Sequence, residues 1–292
     1  MYKVFIDGKE GTTGLRIYER LAQRDDLSLI VLDDEKRKDP AARRTALIAA
    51  DIAFLGLPDV AAREAISLIE NDTTRVIDAS TAHRTMPGWC YGMPELGDIF
   101  FETLKTSKRT AVPGCHASGF ISLVYPLVAA GILPADADIT CHSVTGYSGG
   151  GKKMIVQYEE AARSPLLDAP RQYGLTQQHK HLKEMQAVCG LAKAPVFCPI
   201  VSDFYSGMTV TVPLFAGMLK SGYTAEDIRE VYRTLYAGPV IRYVDGLGEE
   251  GFLSANAVAG SDSMQIAVMG NEERILLISR FDNLGKARPA PQ

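Results

Sequence analysis

Of the five cysteines in the chain, one stands in a setting that favours reaction. Cys115 follows Pro113-Gly114 and introduces an apolar stretch, residues 120–130, with helical spacing. A cysteine at a helix N-terminus faces backbone N–H groups that no helical carbonyl satisfies, together with the positive end of the helix dipole. Both favour thiolate over thiol, which makes the sulfur a nucleophile near neutral pH. The same N–H groups can hold an oxyanion formed when that sulfur attacks a carbonyl. The plainer alternative is a small buried residue beside an ordinary turn, so the other residues must decide.

His179-Lys180-His181 is followed by Glu184. His181 and Glu184 are spaced to share one helical face, so the carboxylate can orient the imidazole for proton transfer. Histidine and glutamate are also metal-ligand types, but no further carboxylate or cysteine stands at a recognised spacing, and no metal is expected. Arg84 is a candidate clamp for carboxylate or phosphate, because a guanidinium donates two parallel hydrogen bonds. The stretch Thr145-Gly146-Tyr147-Ser148-Gly149-Gly150-Gly151-Lys152-Lys153 lacks the phosphate-loop spacing and shows no immediate helix start. It reads as a mobile loop whose N–H groups and Lys152 meet an anionic substrate, with Gly149 assigned to the cofactor.

Near the start, residues 2–6 read as a buried strand and residues 15–21 as a helix. Between them lie Gly8, Gly11, Thr12, Thr13 and Gly14. Glycines let the backbone turn tightly and approach a ligand, and the helix start offers N–H groups to a pyrophosphate. The spacing is G-x-x-G-x-x-G rather than G-x-G-x-x-G, so a plain strand–helix turn stays open. A second strand, residues 27–32, ends in Asp33-Asp34-Glu35 and then Lys36-Arg37-Lys38. An acidic residue there takes the ribose hydroxyls of NAD, whereas basic residues accommodate the extra phosphate of NADP. The sequence supplies both.

The elements that must position these residues alternate. Strands at 50–58 and 75–80 flank a helix at 60–69, which implies a doubly wound parallel sheet. Ligands in such sheets sit at the carboxyl ends of the strands. Gly8, Pro58, Ser80 and Cys115 all fall at that edge, so the glycine turn and the cysteine are expected to converge. Beyond the cysteine helix the pattern changes to strands at 138–144, 194–199, 206–213, 240–244, 263–269 and 274–279. An amphipathic helix at 223–236 has Thr224 as its cap. The expected fold is α/β: a Rossmann-like domain over residues 1–114, an α+β catalytic domain with a largely antiparallel sheet over 115–281, and a tail over 282–292.

Composition narrows the partners. A net charge of −4 gives no case for nucleic acid. Scattered cysteines, odd in number and without a CxxC pair, indicate the reducing cytoplasm. No signal peptide is visible, and no apolar run is long enough to span a bilayer.

Together these residues resemble the N-acetyl-gamma-glutamyl-phosphate reductase family, in its shorter form, within the aspartate-semialdehyde dehydrogenase superfamily. The markers run in order through most of the chain: Phe5-Ile6-Asp7-Gly8 with Gly11-Thr12-Thr13-Gly14, Arg37-Lys38-Asp39, Leu57-Pro58-Asp59, Asp78-Ala79-Ser80-Thr81-Ala82-His83-Arg84, Pro113-Gly114-Cys115, the Tyr147 to Lys152 glycine stretch, His179-Lys180-His181 with Glu184, Gly207-Met208 and Asp282-Asn283-Leu284-Gly285-Lys286. The resemblance implies NADPH-dependent reduction of a small acyl phosphate to an aldehyde in arginine biosynthesis. It implies Cys115 as nucleophile, His179 and His181 as the source of the acid/base, NADP(H) as cofactor, and a homo-oligomer, dimer or tetramer. An aspartate-semialdehyde dehydrogenase fits the histidine motif and the Tyr147 to Gly151 stretch less well, and a catalytically weak binding or regulatory homologue on the same fold is a further alternative.

The chain departs from the family pattern at Val112 and His116, which flank the cysteine where asparagine and tyrosine are usual. Thr145 replaces a serine, and Asp33-Asp34 is more acidic than usual. After Lys286 the family continues into a terminal helix, whereas this chain reads Ala287-Arg288-Pro289-Ala290-Pro291-Gln292. Pro289 and Pro291 cannot sit in a helix interior, so the expectation is a more open cofactor site, weaker NADP(H) affinity and low turnover.

If Arg37 reads the 2′-phosphate, Arg37→Ala weakens NADP(H) by about tenfold, the scale of one charge-assisted hydrogen bond, and leaves NAD(H) unchanged. Titration of both cofactors by fluorescence tests this. Equal losses for the two would show that Arg37 does not read the phosphate.

Overall fold

Alternating strand and helix in the first hundred residues give the sheet that the apolar runs require. A computed structural model describes residues 1–9 and 11–284; the expectation for the tail beyond Leu284 lies outside the described residues. The chain divides into two units, one of residues 1–94 with 98–114, the other of Glu95–Gly97 and the described residues from Cys115 onward.

The first unit contains β1 (Tyr2–Asp7), α1 (Thr12–Leu21), β2 (Leu27–Ile30), α2 (Pro40–Ala49), β3 (Ile52–Leu55), α3 (Asp59–Ser67), β4 (Arg75–Asp78), β5 (Cys90–Tyr91), α4 (Asp98–Thr106) and β6 (Arg109–Ala111). Its six strands are all parallel, in the order β2-β1-β3-β4-β6-β5. Strands covered on both faces read as continuous apolar runs, and Phe5, Leu47, Ala53, Leu55 and Val76 make the core between sheet and helices. The chain leaves β1 towards β2 and returns to β3 on the other side. That reversal marks the ligand-binding crevice of a doubly wound sheet.

Helix α2, which apolar periodicity did not reveal, is started by its cap. The Asp39 carboxylate accepts a hydrogen bond from the Ala42 N–H at 2.9 Å, and Pro40 occupies the first turn. The helix delivers buried Arg43 to Asp7, the last residue of β1, at 3.0 Å, with Glu64 of α3 at 3.2 Å on its other side. Burial raises the pKa of the Asp7 carboxyl, and the Arg43 guanidinium opposes that rise.

The second unit contains α5 (Cys115–Ala129), β7 (Thr140–Gly146), α6 (Gly151–Glu159), β8 (Arg171–Gln172), α7 (Leu182–Cys189), β9 (Val196–Ser202), β10 (Met208–Phe215), α8 (Ala225–Leu235), β11 (Ile241–Tyr243), β12 (Met264–Gly270) and β13 (Arg274–Phe281). The seven strands run β11-β12-β13-β10-β7-β9-β8. Four of the six pairings are antiparallel; β11/β12 and β7/β9 are parallel. Thr224 caps α8, its hydroxyl accepting from the Glu226 N–H while Asp227 accepts from the Thr224 N–H.

Helix α5 is buried along most of its length and packs on β10 and β13. It carries Pro126 in its interior. Proline has no N–H for the carbonyl four residues back, here Ser122, and its ring crowds that turn. Two tyrosines from the α8 region repair the gap. The Tyr236 hydroxyl donates to the Ser122 carbonyl at 2.7 Å, and the Tyr232 hydroxyl donates to the Leu123 carbonyl. Both rings are buried, and burial raises both phenol pKa values, so the hydroxyls stay protonated as donors.

Tyr236→Phe leaves the Ser122 carbonyl buried without this donor. The expected cost is about 1–3 kcal/mol of unfolding free energy, measured by urea denaturation. A change within experimental error would mean that the proline-broken turn does not rely on Tyr236.

Candidate functional site

Cys115 is the first residue of α5 and is half-buried. One turn on, Gly119 lets the helix lie against the sheet. A Cβ there would stand 2.5 Å from Val210 Cγ2, 2.7 Å from Ser279 Oγ and 2.9 Å from Phe281 Cε1, so any side chain would lift the start of α5. Among the other cysteines, Cys90, Cys141 and Cys189 are buried, and desolvation pushes each thiol up. They are packing residues. Cys198 is half-buried in β9, away from any helix start.

Beside Cys115 lies a cluster of imidazoles. His116 is buried, with ring centroids 5.7 Å from His179, 5.6 Å from His181 and 5.3 Å from Phe197. His179 and His181 stand 4.7 Å apart. His116 Nδ1 is 2.7 Å from the Ser143 hydroxyl, and its Nε2 is 2.7 Å from the Tyr173 hydroxyl. Burial, helped by His179 and Lys180, lowers the His116 pKa to about 3. Burial and Lys180 lower that of His179 to about 4. Burial also raises the Tyr173 phenol, with Cys115 close enough to add to the effect. At neutral pH His116 and His179 are therefore neutral imidazoles and Tyr173 a protonated phenol. Despite their proximity, no three His, Cys, Asp or Glu among the described residues are disposed to hold a metal.

His181 does not lie within α7 beside Glu184, as their spacing suggests; both histidines precede the helix. His181 takes the N-cap position, and Glu184 lies in the first turn. The His181 N–H donates to His179 Nδ1 at 3.2 Å, which puts the proton of neutral His179 on Nε2. His181 Nε2 and Glu184 Oε1 are both buried and 4.0 Å apart, an electrostatic pairing rather than a hydrogen bond.

The glycine stretch after β7 is not the loop its composition suggests. Residues Tyr147–Gly150 form a 3-10 turn, and α6 begins at Gly151, with Lys152 exposed in its first turn and Gly149 exposed before it. A Cβ on Gly146 would stand 2.6 Å from the carbonyl oxygens of Phe204 and Tyr205. Asn283 ties the turn to β10: its Oδ1 accepts from the Gly207 N–H at 2.8 Å, and its Nδ2 donates to Ser148 Oγ at 3.1 Å.

In the first unit the glycines meet a different demand. Gly8 has φ +87°, and a Cβ there would stand 2.4 Å from the Gly56 carbonyl oxygen; one on Gly14 would stand 2.2 Å from that of Gly8. Side chains are excluded, and the turn after β1 packs on the turn after β3. Helix α1 begins at Thr12 with Gly11 as its cap, which makes no side-chain cap hydrogen bond. Pro58 caps α3 at the neighbouring turn. Arg37 and Lys38 are exposed in the turn after β2, with Arg37 4.0 Å from the Asp34 carboxylate.

Two predicted site residues serve this unit's own backbone. Ser80 Oγ donates to Asp78 Oδ2 at 2.7 Å and accepts from the Ala82 N–H at 3.1 Å. Asp78 also meets His83 Nδ1 at 2.6 Å, and His83 stacks on Trp89. Arg84 donates to the carbonyls of Val112, at 2.9 Å, and Ala79, at 3.2 Å. It braces the strand end leading into Pro113-Gly114.

Sequence reasoning did not assign roles to His116, Ser143 and Tyr173. His116 showed only as a departure from a motif. Its partners lie 27 and 57 residues away, so no local spacing announces them.

Comparison with known proteins places these features. Residues 115–283 match the family described as semialdehyde dehydrogenase, dimerisation domain. The chain is 44% identical to N-acetyl-gamma-glutamyl-phosphate reductase 2 of Pseudomonas putida, covering 97% of this chain and 92% of that protein. It is 45% identical to N-acetyl-gamma-glutamyl-phosphate reductase of Chelativorans sp., covering 97% and 93%. In fold it is similar to aspartate semialdehyde dehydrogenase II of Vibrio cholerae, with TM-score 0.71 at 16% identity over 99% of this chain and 95% of that one. The aspartate semialdehyde dehydrogenase of Francisella tularensis gives 0.72 at 13% identity over 100% and 97%.

His116 and His179 have folded pKa values near 3 and 4, below the ordinary 6.5, so between these values the unfolded chain binds more protons. Their contribution to stability is present above pH 6.5 and is lost as pH falls towards 4 and below. NMR of the imidazole C–H signals should show neither residue titrating above pH 6, while stability declines on acidification. A midpoint near pH 6.5 for His116 would contradict the buried, neutral cluster.

Proposed function

Because the chain belongs to the N-acetyl-gamma-glutamyl-phosphate reductase family, we propose that it reduces N-acetyl-gamma-glutamyl phosphate to N-acetylglutamate semialdehyde, releasing phosphate, by way of a thioester on Cys115. The observation that carries this is the cysteine itself: half-buried, first in α5, beside neutral imidazoles.

His181, with Glu184 beside it, takes the Cys115 proton, and the sulfur attacks the acyl carbon. The carbon–oxygen bond to phosphate breaks as the carbon–sulfur bond forms. N–H groups at the start of α5 hold the oxyanion of the tetrahedral stage. His179, with its proton on Nε2, is placed to donate to the acyl group. NADPH, when bound, supplies the hydride that converts the thioester to a thiohemiacetal. His181 then returns a proton to the leaving sulfur as the aldehyde forms. Lys152 and Arg84 are the cations assigned to the substrate's anionic groups, Lys152 by its exposed place in the first turn of α6. Arg84 also braces the strand end that leads to Cys115.

The first unit's residues fit a dinucleotide. Gly8 and Gly14 exclude side chains from the turn, and the start of α1, at Thr12 and Thr13, has a glycine cap without a side chain and so presents backbone N–H groups of the kind a pyrophosphate takes. Pro58, Ser80 and Gly149 complete the assigned cofactor contacts, while Arg37 and Lys38 receive the 2′-phosphate that distinguishes NADP. The enzyme works as a homo-oligomer in the cytoplasm, supplying arginine biosynthesis. No helix of the described residues is long and apolar enough to cross a membrane.

The test is a spectrophotometric assay in the reverse direction, with N-acetylglutamate semialdehyde, phosphate and NADP. Native protein should turn over, aspartate semialdehyde should be a poor substitute, and Cys115→Ser should lose more than about a thousandfold in kcat with cofactor binding intact. Turnover of the serine variant within about tenfold of native would exclude covalent catalysis at this position.

A further inference from the structure

The turn after β1 cannot anchor itself. Gly8, Gly11 and Gly14 carry no side chains, and glycine gives up more backbone freedom on ordering than any other residue. Within the turn, the Gly11 N–H donates to the Gly8 carbonyl at 3.1 Å. The anchor comes from the residue before it. The Asp7 carbonyl accepts from the Gly56 N–H at 2.7 Å, which joins the turn after β1 to the turn after β3. The buried Asp7 carboxylate accepts at one oxygen, Oδ2, from Arg43 Nε at 3.1 Å and from Arg43 Nη2 at 3.0 Å. The third guanidinium nitrogen, Nη1, donates to Glu64 Oε1 of α3 at 3.2 Å. One buried side chain of α2 thus joins the end of β1 to α3.

A buried ion pair is a poor source of stability, because both charges lose water. Its advantage is geometric: the guanidinium nitrogens donate in a fixed plane, which restricts how the partners can sit. A carboxylate next to a turn that receives an anion also needs a counter-charge, or it repels the ligand. We propose that Arg43 is a positioning residue for the dinucleotide: by holding and neutralising Asp7, it fixes the glycine turn in the shape that presents the start of α1 to the pyrophosphate. Arg43 is itself buried and acts through Asp7, Gly8 and Gly11 rather than on the ligand. This rests on the dinucleotide site proposed above and adds to it a residue that lies outside the glycine turn.

The test compares two ligands by calorimetric titration of the full chain. NADPH carries the pyrophosphate, whereas adenosine 2′-monophosphate keeps the adenosine and its 2′-phosphate without it. Arg43→Met should weaken NADPH by about tenfold, the scale of one charge-assisted contact, and adenosine 2′-monophosphate by less than about twofold. Asp7→Asn should also weaken NADPH selectively, and the double variant should be no weaker than the weaker single, because the two side chains act as a unit. A pair that only stabilises the fold would lower the urea midpoint and leave the ratio of the two affinities at its native value. That result would overturn the proposal, as would additive losses in the double variant. If Arg43→Met does not fold, Arg43→Lys decides. Lysine keeps the charge but cannot donate from two nitrogens to Asp7 and reach Glu64 with a third, so NADPH should weaken by about threefold with adenosine 2′-monophosphate unchanged. Native NADPH affinity in Arg43→Lys would overturn the proposal. A native chain that binds neither ligand would overturn it together with the cofactor reading, whereas native binding of both, with an unchanged ratio in the variants, would overturn this proposal alone.

Discussion

Everything at the cysteine depends on where α5 begins. A nucleophile in the first residue of a helix has the advantage of the helix end only if that end is held in place. Here it is held by burial. Gly119 allows β10 and β13 to approach the first turn, and any larger residue would displace it. Further along, Pro126 weakens the helix, and Tyr236 and Tyr232 satisfy the carbonyls at the break. A chain optimised for helical stability would not carry a proline there. The hydroxyls make the defect tolerable, and in doing so they tie α5 to the α8 region.

Around this fixed point the second unit assembles its chemistry from distant segments. His116 belongs to α5, Ser143 to β7, Tyr173 to the end of β8, and His179 and His181 to the turn before α7. Enclosing several imidazoles makes protonation costly, which keeps His116 and His179 neutral near pH 7. A neutral imidazole can take a proton or pass on a hydrogen bond, and a charged one can only donate. The low pKa values are thus a consequence of packing that suits the assigned chemistry.

The parts legible in the sequence were those with local causes. The parallel sheet showed in its apolar runs, and the cysteine helix in Pro113-Gly114 followed by residues 120–130. Thr224 could be named as a cap because the cap and its helix are contiguous. Helix α2 was missed although its signal was present: Asp39-Pro40 is a cap followed by a first-turn proline, but the charged face of the helix hid the apolar period. The glycine stretch misled for the opposite reason. Its glycines suggested mobility, whereas Gly146 is required by the carbonyls of Phe204 and Tyr205, far along the chain. Arg84 looked like an anion clamp, and only the fold showed that it also braces Val112 and Ala79. Hydrogen bonds between distant segments leave no spacing to read, so the Ser143, His116 and Tyr173 chain had to wait for the structure.

The claim at the centre of this account is that Cys115 forms the covalent bond. It is tested most directly by trapping the acyl-enzyme. The protein is mixed with N-acetyl-gamma-glutamyl phosphate in the absence of reduced nicotinamide, quenched in acid, and examined by intact-mass and peptide mass spectrometry. The account predicts one N-acetylglutamyl group per chain, on Cys115, with an equivalent amount of phosphate released. An acyl group on a different residue, or phosphate released with no acyl group on the protein, would contradict it.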